Sequence, residues 1–588
     1  MTRIVLSLCS LLLSATVPAA EPPPAAEPHR LFEDYFERSL QLNPLQATFI
    51  GDHRYDDRLP NFISPAYLAE SLGVERSYLD AALQFEPQAL SAEDRLSLEI
   101  FLHERRTAIE GAAFPSELLP LDQMFSIATL MPLFGSATNA QPFETVQDYD
   151  RFLARMNDYL AWSDQAIANM RLGIAKKIVQ PRVVMEKVQA QLAALVVDDP
   201  QKSLFYAPVA KFPDGFSAAD RKRLEQAYRD AIVNRITPSY RRLYDFVRDE
   251  YLPQTRATVA WTALPGGKAW YAFLIKVNTT TDYTPDFIHD LGLKEVARIR
   301  GEMEQVKTQV GFRGDLHAFF RHLQDDPQFY YAKPGDLIAG YQDVKRRIDA
   351  VLPKFFAVFP RADYEVRPVE AFRAESAAGA MYQSPSADGS RPGIFYVNTF
   401  NLKAQPKFGM ETLSLHEASP GHHFQISIQQ ELTGLPKFRR FGGNYTAYVE
   451  GWALYAESIG REMGLFTDPY QYYGRLSDEM LRAMRLVVDT GLHSRNWSRE
   501  QAIAYMLDNS SMAPSDVEAE VERYIANPGQ ALGYKIGQIR IREMRSRAEA
   551  ALGAKFDLKA FHTEVLRDGA VPMDVLEKKI ERWIESRK

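Results

Sequence analysis

Leu413-Ser-Leu-His416-Glu417-Ala-Ser-Pro-Gly-His422-His423-Phe424 is the stretch on which the reading of this chain turns. A hydrolase that works through a metal ion needs two imidazoles converging on that ion. It also needs a carboxylate that is not a ligand but reaches the attacking water. The common arrangement places histidines at i and i+4 on one helix face, with the glutamate directly after the first. Here Pro420 occupies i+4, so the second imidazole must be His422 or His423. On an unbroken helix neither fits: i+6 points away, and i+7 lies about 10.5 Å along the axis. Pro420 cannot donate to the His416 carbonyl, and Gly421 frees the backbone. A break at Pro-Gly is therefore expected to bring one imidazole back to the ion. The competing reading is a cluster in which His422 and His423 are merely hydrogen-bonded.

The second informative stretch is Asn444-Tyr-Thr-Ala-Tyr-Val-Glu450-Gly-Trp-Ala-Leu-Tyr-Ala-Glu457. It reads as a helix with an acidic residue set among aromatic and small side chains. A buried carboxylate is costly unless it is paired or bound to a cation. Glu450 is the candidate third ligand, and the alternative is an ion pair with Arg439 or Arg440. Glu457 lies two turns further on the same face, where it could hold one of the histidines from behind.

These two motifs, HExxPGHH and YVEGWALYAE, resemble a large bacterial family of unknown-function domains, often labelled lipoproteins and grouped with the gluzincin-type zinc metallopeptidases. Arg485-Leu-Val-Val-Asp-Thr-Gly-Leu-His493 and Pro528-Gly-Gln-Ala-Leu-Gly-Tyr534-Lys-Ile-Gly537 belong to the same resemblance, which covers nearly the whole chain after its leader. It implies His416, His422 and Glu450 as zinc ligands, with His423 the alternative to His422, and Glu417 as general base. Tyr534 and His493 are the candidates for stabilising an oxyanion. Arg485 is the candidate for a bidentate grip on a substrate carboxylate. Each of these last three has a structural alternative, as a core aromatic or as a helix-end or ion-paired residue. The fold implied is mainly α (α+β): a large, two-lobed helical body like the zinc peptidases, with a small antiparallel sheet beside the active-site helix. The function implied is a zinc-dependent hydrolase, a peptidase acting on short or unfolded peptides. A hydrolase of acylated amino acids or esters and an inactive helical binding protein are the alternatives.

Residues 1–20 read as a signal peptide: Arg3, an apolar run from Ile4 to Leu13, then small residues to Ala19-Ala20. A periplasmic or secreted protein is expected. Cys9 is the only cysteine and falls inside that leader, behind Leu8, so it does not suit lipid attachment. After cleavage no thiolate remains, and a metal site must use His, Asp and Glu. Residues 21–28 read as a Pro-rich tether, and 29–588 as the helical body, with the catalytic motifs in 376–540. Loss of Arg3 takes the formal charge from −7 to −8, which gives no reason to expect nucleic acid. No stable membrane anchor is expected, and the expected partner is a peptide substrate.

Helical periodicity dominates the body. It marks Leu31–Gln46, Pro65–Leu83, Ala92–Ala113, Val146–Ala168, Pro181–Val197, Ala218–Tyr251, Lys294–Val310 and Gly340–Phe356. It continues in Tyr470–Asp489, Arg499–Met506, Pro514–Ile525, Gln530–Ala551 and Asp574–Arg587. Ser91, Thr145 and Ser498 are expected N-caps. Tyr364–Arg373, Ala380–Ser384 and Ile394–Thr399 read as one antiparallel sheet, with Ile394–Thr399 as an edge for an extended peptide. Residues 114–143 read as a long structured loop.

Overall fold

The computed structural model describes residues 28–137, 140–370, 374, 379–385 and 391–588. The expected leader and all but the last residue of the expected tether lie outside these residues. The protein is mainly helical, with one small sheet. Every segment marked by periodicity is helical, and the caps do their expected work. Ser91 accepts from Asp94 N, while Thr145 and Ser498 form capping boxes with Asp148 and Gln501.

Departures from the expected elements have local causes. The first helix, Pro28–Leu42, stops early because Asn43 caps a new one, Pro44–Phe49, whose first residue is proline. Ala218–Tyr251 is continuous but widens into π turns at Ile232–Ile236 and Val247–Tyr251. Pro238 and Pro253 follow them; each lacks the N–H of a regular helix, and the wide turns relieve their rings. The segment expected as a loop, 114–143, holds a helix at Ile127–Gly135 that buries Ala128, Met131 and Phe134. Helices at Gly267–Thr279, Leu316–Asp325 and Leu558–Leu566 add to those expected.

The sheet corrects the sequence reading. Its strands are β1 (Tyr364–Pro368), β2 (Ala380–Gln383) and β3 (Gly393–Val397), in the order β1-β3-β2. β3 pairs parallel with β1 and antiparallel with β2, so the sheet is mixed. β3 is buried along its length and paired on both sides, so Ile394–Thr399 offers no free edge. The outer rims belong to β1 and β2.

After the sheet comes a run of helices: α1 (Met410–Glu417), α2 (His422–Glu431), α3 (Thr446–Ile459), α4 (Pro469–Ser494), α5 (Pro514–Ala526) and α6 (Leu532–Leu552). Buried apolar side chains gather into two large clusters. One holds Leu415, Phe424, Tyr448 and Trp452 from the first three of these helices. The other holds Met480, Val487, Leu492 and Tyr524 from α4 and α5. α3 and α6 cross with their backbones in contact at Gly451 and Gly537. A Cβ at Gly451 would lie 2.5 Å from the Gly537 Cα, a distance that no side chain tolerates. This fixes the helix that carries Glu450.

Candidate metal centre

The segment from Leu413 to Phe424 lies on two short helices rather than one. α1 ends at Glu417 and α2 starts at His422. Between them Ala418 and Gly421 leave the helical region, at φ −108°, ψ −112° and φ −76°, ψ −128°. Gly421 folds back onto the open end of α1. A Cβ there would sit 1.9 Å from the His416 carbonyl oxygen and 2.3 Å from that of Leu415. Gly421→Ala is therefore expected to abolish the local geometry and with it metal retention, as measured by metal content of the purified variant. A variant that keeps its metal would show that the break is not what sets the histidine spacing.

The break does what the i+6 spacing requires. The His416 and His422 rings come to 4.7 Å between centroids, nearly perpendicular at 86°. Glu450 reaches them from α3. Its Oε2 lies 3.5 Å from His416 Nε2 and 3.4 Å from His422 Nε2. These three donors form the group able to hold a metal ion among the described residues. Glu450 is thus paired with the imidazoles. The arginines weighed as its partners go elsewhere: Arg439 to Ser97 Oγ and the Asp568 carbonyl, Arg440 to the Gln430 carbonyl.

The surroundings prepare the donors. Glu457 Oε1 accepts from His416 Nδ1 at 2.6 Å, which directs Nε2 at the cluster. Trp452 Nε1 donates to the Pro420 carbonyl at 2.7 Å, so α3 is tied to the break two residues beyond Glu450. Burial alone would lower the His416 pKa, but Glu450 and Glu457 outweigh it and push it up to about 10. Burial alone would raise the Glu450 carboxyl, yet His422 and His416 hold it well below the carboxylate range. A site that favours positive charge so strongly on His416 is suited to a cation in place of its proton. His422 Nδ1 is buried with no hydrogen-bond partner among the described residues.

His423 turns the other way. Its Nε2 donates to the Ala362 carbonyl at 3.1 Å and its Nδ1 accepts from Tyr382 at 2.9 Å. Burial lowers its pKa to about 4. With both nitrogens engaged it ties α2 to the sheet, and His422 is the histidine at the cluster.

Glu417 follows His416 directly, is half-buried and is not one of the three converging donors. Its charge is felt by His416 and by the Tyr341 hydroxyl. The remaining candidates form a separate group on α4, α5 and α6. Arg485 donates to Glu520 at 2.9 Å and to the Tyr524 hydroxyl at 3.2 Å, and its guanidinium lies 4.5 Å from the Tyr534 ring centre. Arg523 donates to the Tyr534 hydroxyl at 3.3 Å. Asp478 and Arg482, which the sequence reading did not single out, connect this group to the His416–His422–Glu450 cluster. They pair at 2.9 Å, and each senses the Glu457 charge. Arg485 lies two turns past Asp478, about 10 Å along α4.

His493 is not brought to the cluster. It lies some four turns past Asp478, about 22 Å along α4. It is fully buried, accepts from Trp261 N at 3.3 Å and donates to the Tyr524 carbonyl at 2.9 Å. Burial holds its pKa at about 3. In this arrangement it joins two chain segments and has no nitrogen left for an oxyanion.

Two histidines and a glutamate from three helices, with a second carboxylate behind one histidine, define a helical protein with a cluster that could hold a metal ion. The chain belongs to the family described as bacterial protein of unknown function (DUF885), whose model matches residues 44–580. It is similar to a crystal structure described as a "putative lipoprotein" from Colwellia psychrerythraea: TM-score 0.87, 29% identity, covering 95% of this chain and 99% of that one. A second similar structure, a "putative lipoprotein of unknown function" from Shewanella oneidensis, gives TM-score 0.74 at 19% identity, covering 94% and 99%. No curated protein matches the chain.

Proposed function

We propose that the protein is an exported zinc-dependent hydrolase, with a peptide amide as its substrate. The observation that carries this is the donor triangle. Zinc bonds to imidazole and carboxylate are about 2.0–2.1 Å, so the edges of a tetrahedral site are about 3.4 Å. The His416–Glu450 and His422–Glu450 donor distances are 3.5 and 3.4 Å. Three protein donors leave the fourth position for water or substrate, which is the pattern of a catalytic site rather than a structural one. The resemblance of both motifs to gluzincin-type peptidases supports the same reading.

When bound, the ion would polarise the scissile carbonyl and make the attacking water more acidic. The chain supplies the rest. Glu417 is the general base: it takes the proton from the water and returns it to the leaving nitrogen. Glu457 holds His416 in one tautomer. Tyr534 is the candidate for stabilising the oxyanion. Export is supported by the N-terminal leader pattern and by the lipoprotein description of the similar structures. No helix among the described residues is long and apolar enough to cross a membrane.

The test is the metal content of the purified protein beside the His416→Ala, Glu450→Ala double variant. About one zinc per chain in the wild type and none in the variant is the expected result. No zinc in either, even after addition of the metal, would overturn the reading.

A further inference from the structure

A cavity of about 730 Å³ lies where the end of α3, α4, α6 and the helix Pro285–Gln309 meet, and its charge runs against that of the chain. The whole sequence has a formal charge of −7. Among the described residues, the lining has seven cationic side chains and four carboxylates. None of the three converging donors of the candidate metal centre lines it. The floor is balanced. Lys535 is buried, and its ammonium meets Glu479 at 2.6 Å, Gln538 at 2.7 Å and Glu295 at 2.9 Å, so it has no proton left for a ligand. Arg298 pairs with Glu295, Glu302 and Glu479, and the buried Arg475 pairs with Glu479 at 2.7 Å. Burial alone would raise the Glu479 carboxyl, yet Lys535, Arg475 and Arg298 hold it well below the usual carboxylate range.

The rim is not balanced. Arg540 and Arg547 are answered by Glu543, Glu577 and Glu581. Arg461 and Arg542 are exposed and make no ion pair or side-chain hydrogen bond among the described residues. The Arg461 guanidinium lies 4.8 Å from the centre of the Tyr472 ring, and that of Arg475 lies 5.7 Å from the same centre. Tyr472 is itself held by a hydrogen bond from its hydroxyl to Glu302 at 2.6 Å. Two guanidiniums are thus arrayed around one fixed ring. Arg542 comes from α6, two turns past Lys535 and on the same face. Like charges gathered at a partly enclosed surface repel one another and favour an anion between them.

We propose that this cavity is a second site, separate from the metal centre, and that it binds a phosphate ester whose phosphate is held by Arg461, Arg475 and Arg542. A phosphate group carries close to two charges at neutral pH and presents three acceptor oxygens from one centre. Guanidiniums arriving from three separate elements match that shape, and their charge-assisted hydrogen bonds to phosphate are strong. The cavity is far larger than a phosphate ion and falls within the size range of sites for small organic ligands. The ligand is therefore an ester with a body of its own, either soluble or the headgroup of a lipid. The inference stands apart from the hydrolase reading, because none of its residues is a metal donor or the proposed base.

The experiment is a binding titration of the full chain at about 0.15 M salt, where long-range attraction is screened. Inorganic phosphate, a hexose phosphate and malonate are the soluble probes, read by calorimetry. Vesicles of phosphatidylglycerol, read by co-sedimentation, are the fourth. The Arg461→Gln, Arg542→Gln double variant is expected to bind phosphate at least about tenfold more weakly than the wild type. Its thermal midpoint is expected to stay near that of the wild type, since neither arginine has an ion pair to lose. An Arg313→Gln, Arg321→Gln variant removes the same charge from exposed positions outside the cavity and is expected to leave binding unchanged. Phosphate captured at the metal centre would be affected by neither pair. If the hexose phosphate separates the wild type from the first variant, the ligand is a soluble ester; if only the vesicles do, it is a lipid headgroup. Malonate binding as tightly as phosphate would overturn the choice of phosphate. Equal binding of every phosphate probe by the wild type and the first variant, or an equal loss in the second, overturns the site.

Discussion

Glu417→Gln is expected to keep its zinc and to lose hydrolysis by about a thousandfold, within the range for removing a general base. The substitution preserves shape and removes only the ability to carry a proton. Metal retention is expected because Glu417 is not one of the donors: His416, His422 and Glu450 converge without it. Fold retention is expected because the side chain is half-buried at the end of α1, where glutamine fits the same space. The measurement pairs metal analysis with initial rates on a peptide panel. Wild-type rates in the variant would remove Glu417 from the role of base. Loss of metal would show instead that it acts on the ion directly.

Gly537→Ala is expected to be among the most damaging single methyl groups that could be added to this protein. The new Cβ would lie 1.8 Å from the Ala447 carbonyl oxygen and 2.8 Å from the Gly451 Cα. Both neighbours are backbone, so no rotamer change can relieve the contact. α3 and α6 would have to move apart by more than an ångström, along an interface packed at the density of a solid. Overpacking usually costs about 1–3 kcal/mol, and a backbone clash belongs at or above the upper end. The same displacement would carry Glu450 away from the two imidazoles, so zinc affinity should fall together with stability. Denaturant unfolding with zinc analysis checks both. A wild-type midpoint would mean that the helices have slack at this crossing.

Much of the fold was legible because it is helical. Amphipathic period and N-caps are local signals, and Ser498 with Gln501 or Thr145 with Asp148 can be read without any tertiary knowledge. Much of what was missed is either short or non-local. Leu316–Asp325 and Leu558–Leu566 are short, while Gly267–Thr279 is longer and was passed over all the same. The parallel pairing of β1 with β3 depends on the path of the chain between them, which strand composition does not record.

At the site, the residue types carried the argument further than their spacing did. The Pro-Gly pair indicated a break in the helix, and the structure gives α1 and α2 with His416 and His422 brought together across it. The choice between His422 and His423 needed the sheet, because only there do Tyr382 and Ala362 occupy the nitrogens of His423. His493 illustrates the opposite limit. A histidine near a helix end reads as available, but the partners that engage it, Trp261 and Tyr524, come from distant parts of the chain.

The indole–carbonyl bond between Trp452 and Pro420 has a bearing on how such a chain can diverge. It sets the height of α3 against the helix break directly, and the Gly451–Gly537 crossing sets its tilt. Neither depends on the length of the connection between Glu431 and Thr446. Insertions or deletions in that connection can therefore be accommodated while the three donors stay in place. The fold separates the converging His416, His422 and Glu450 donors from a connection that is free to vary in length.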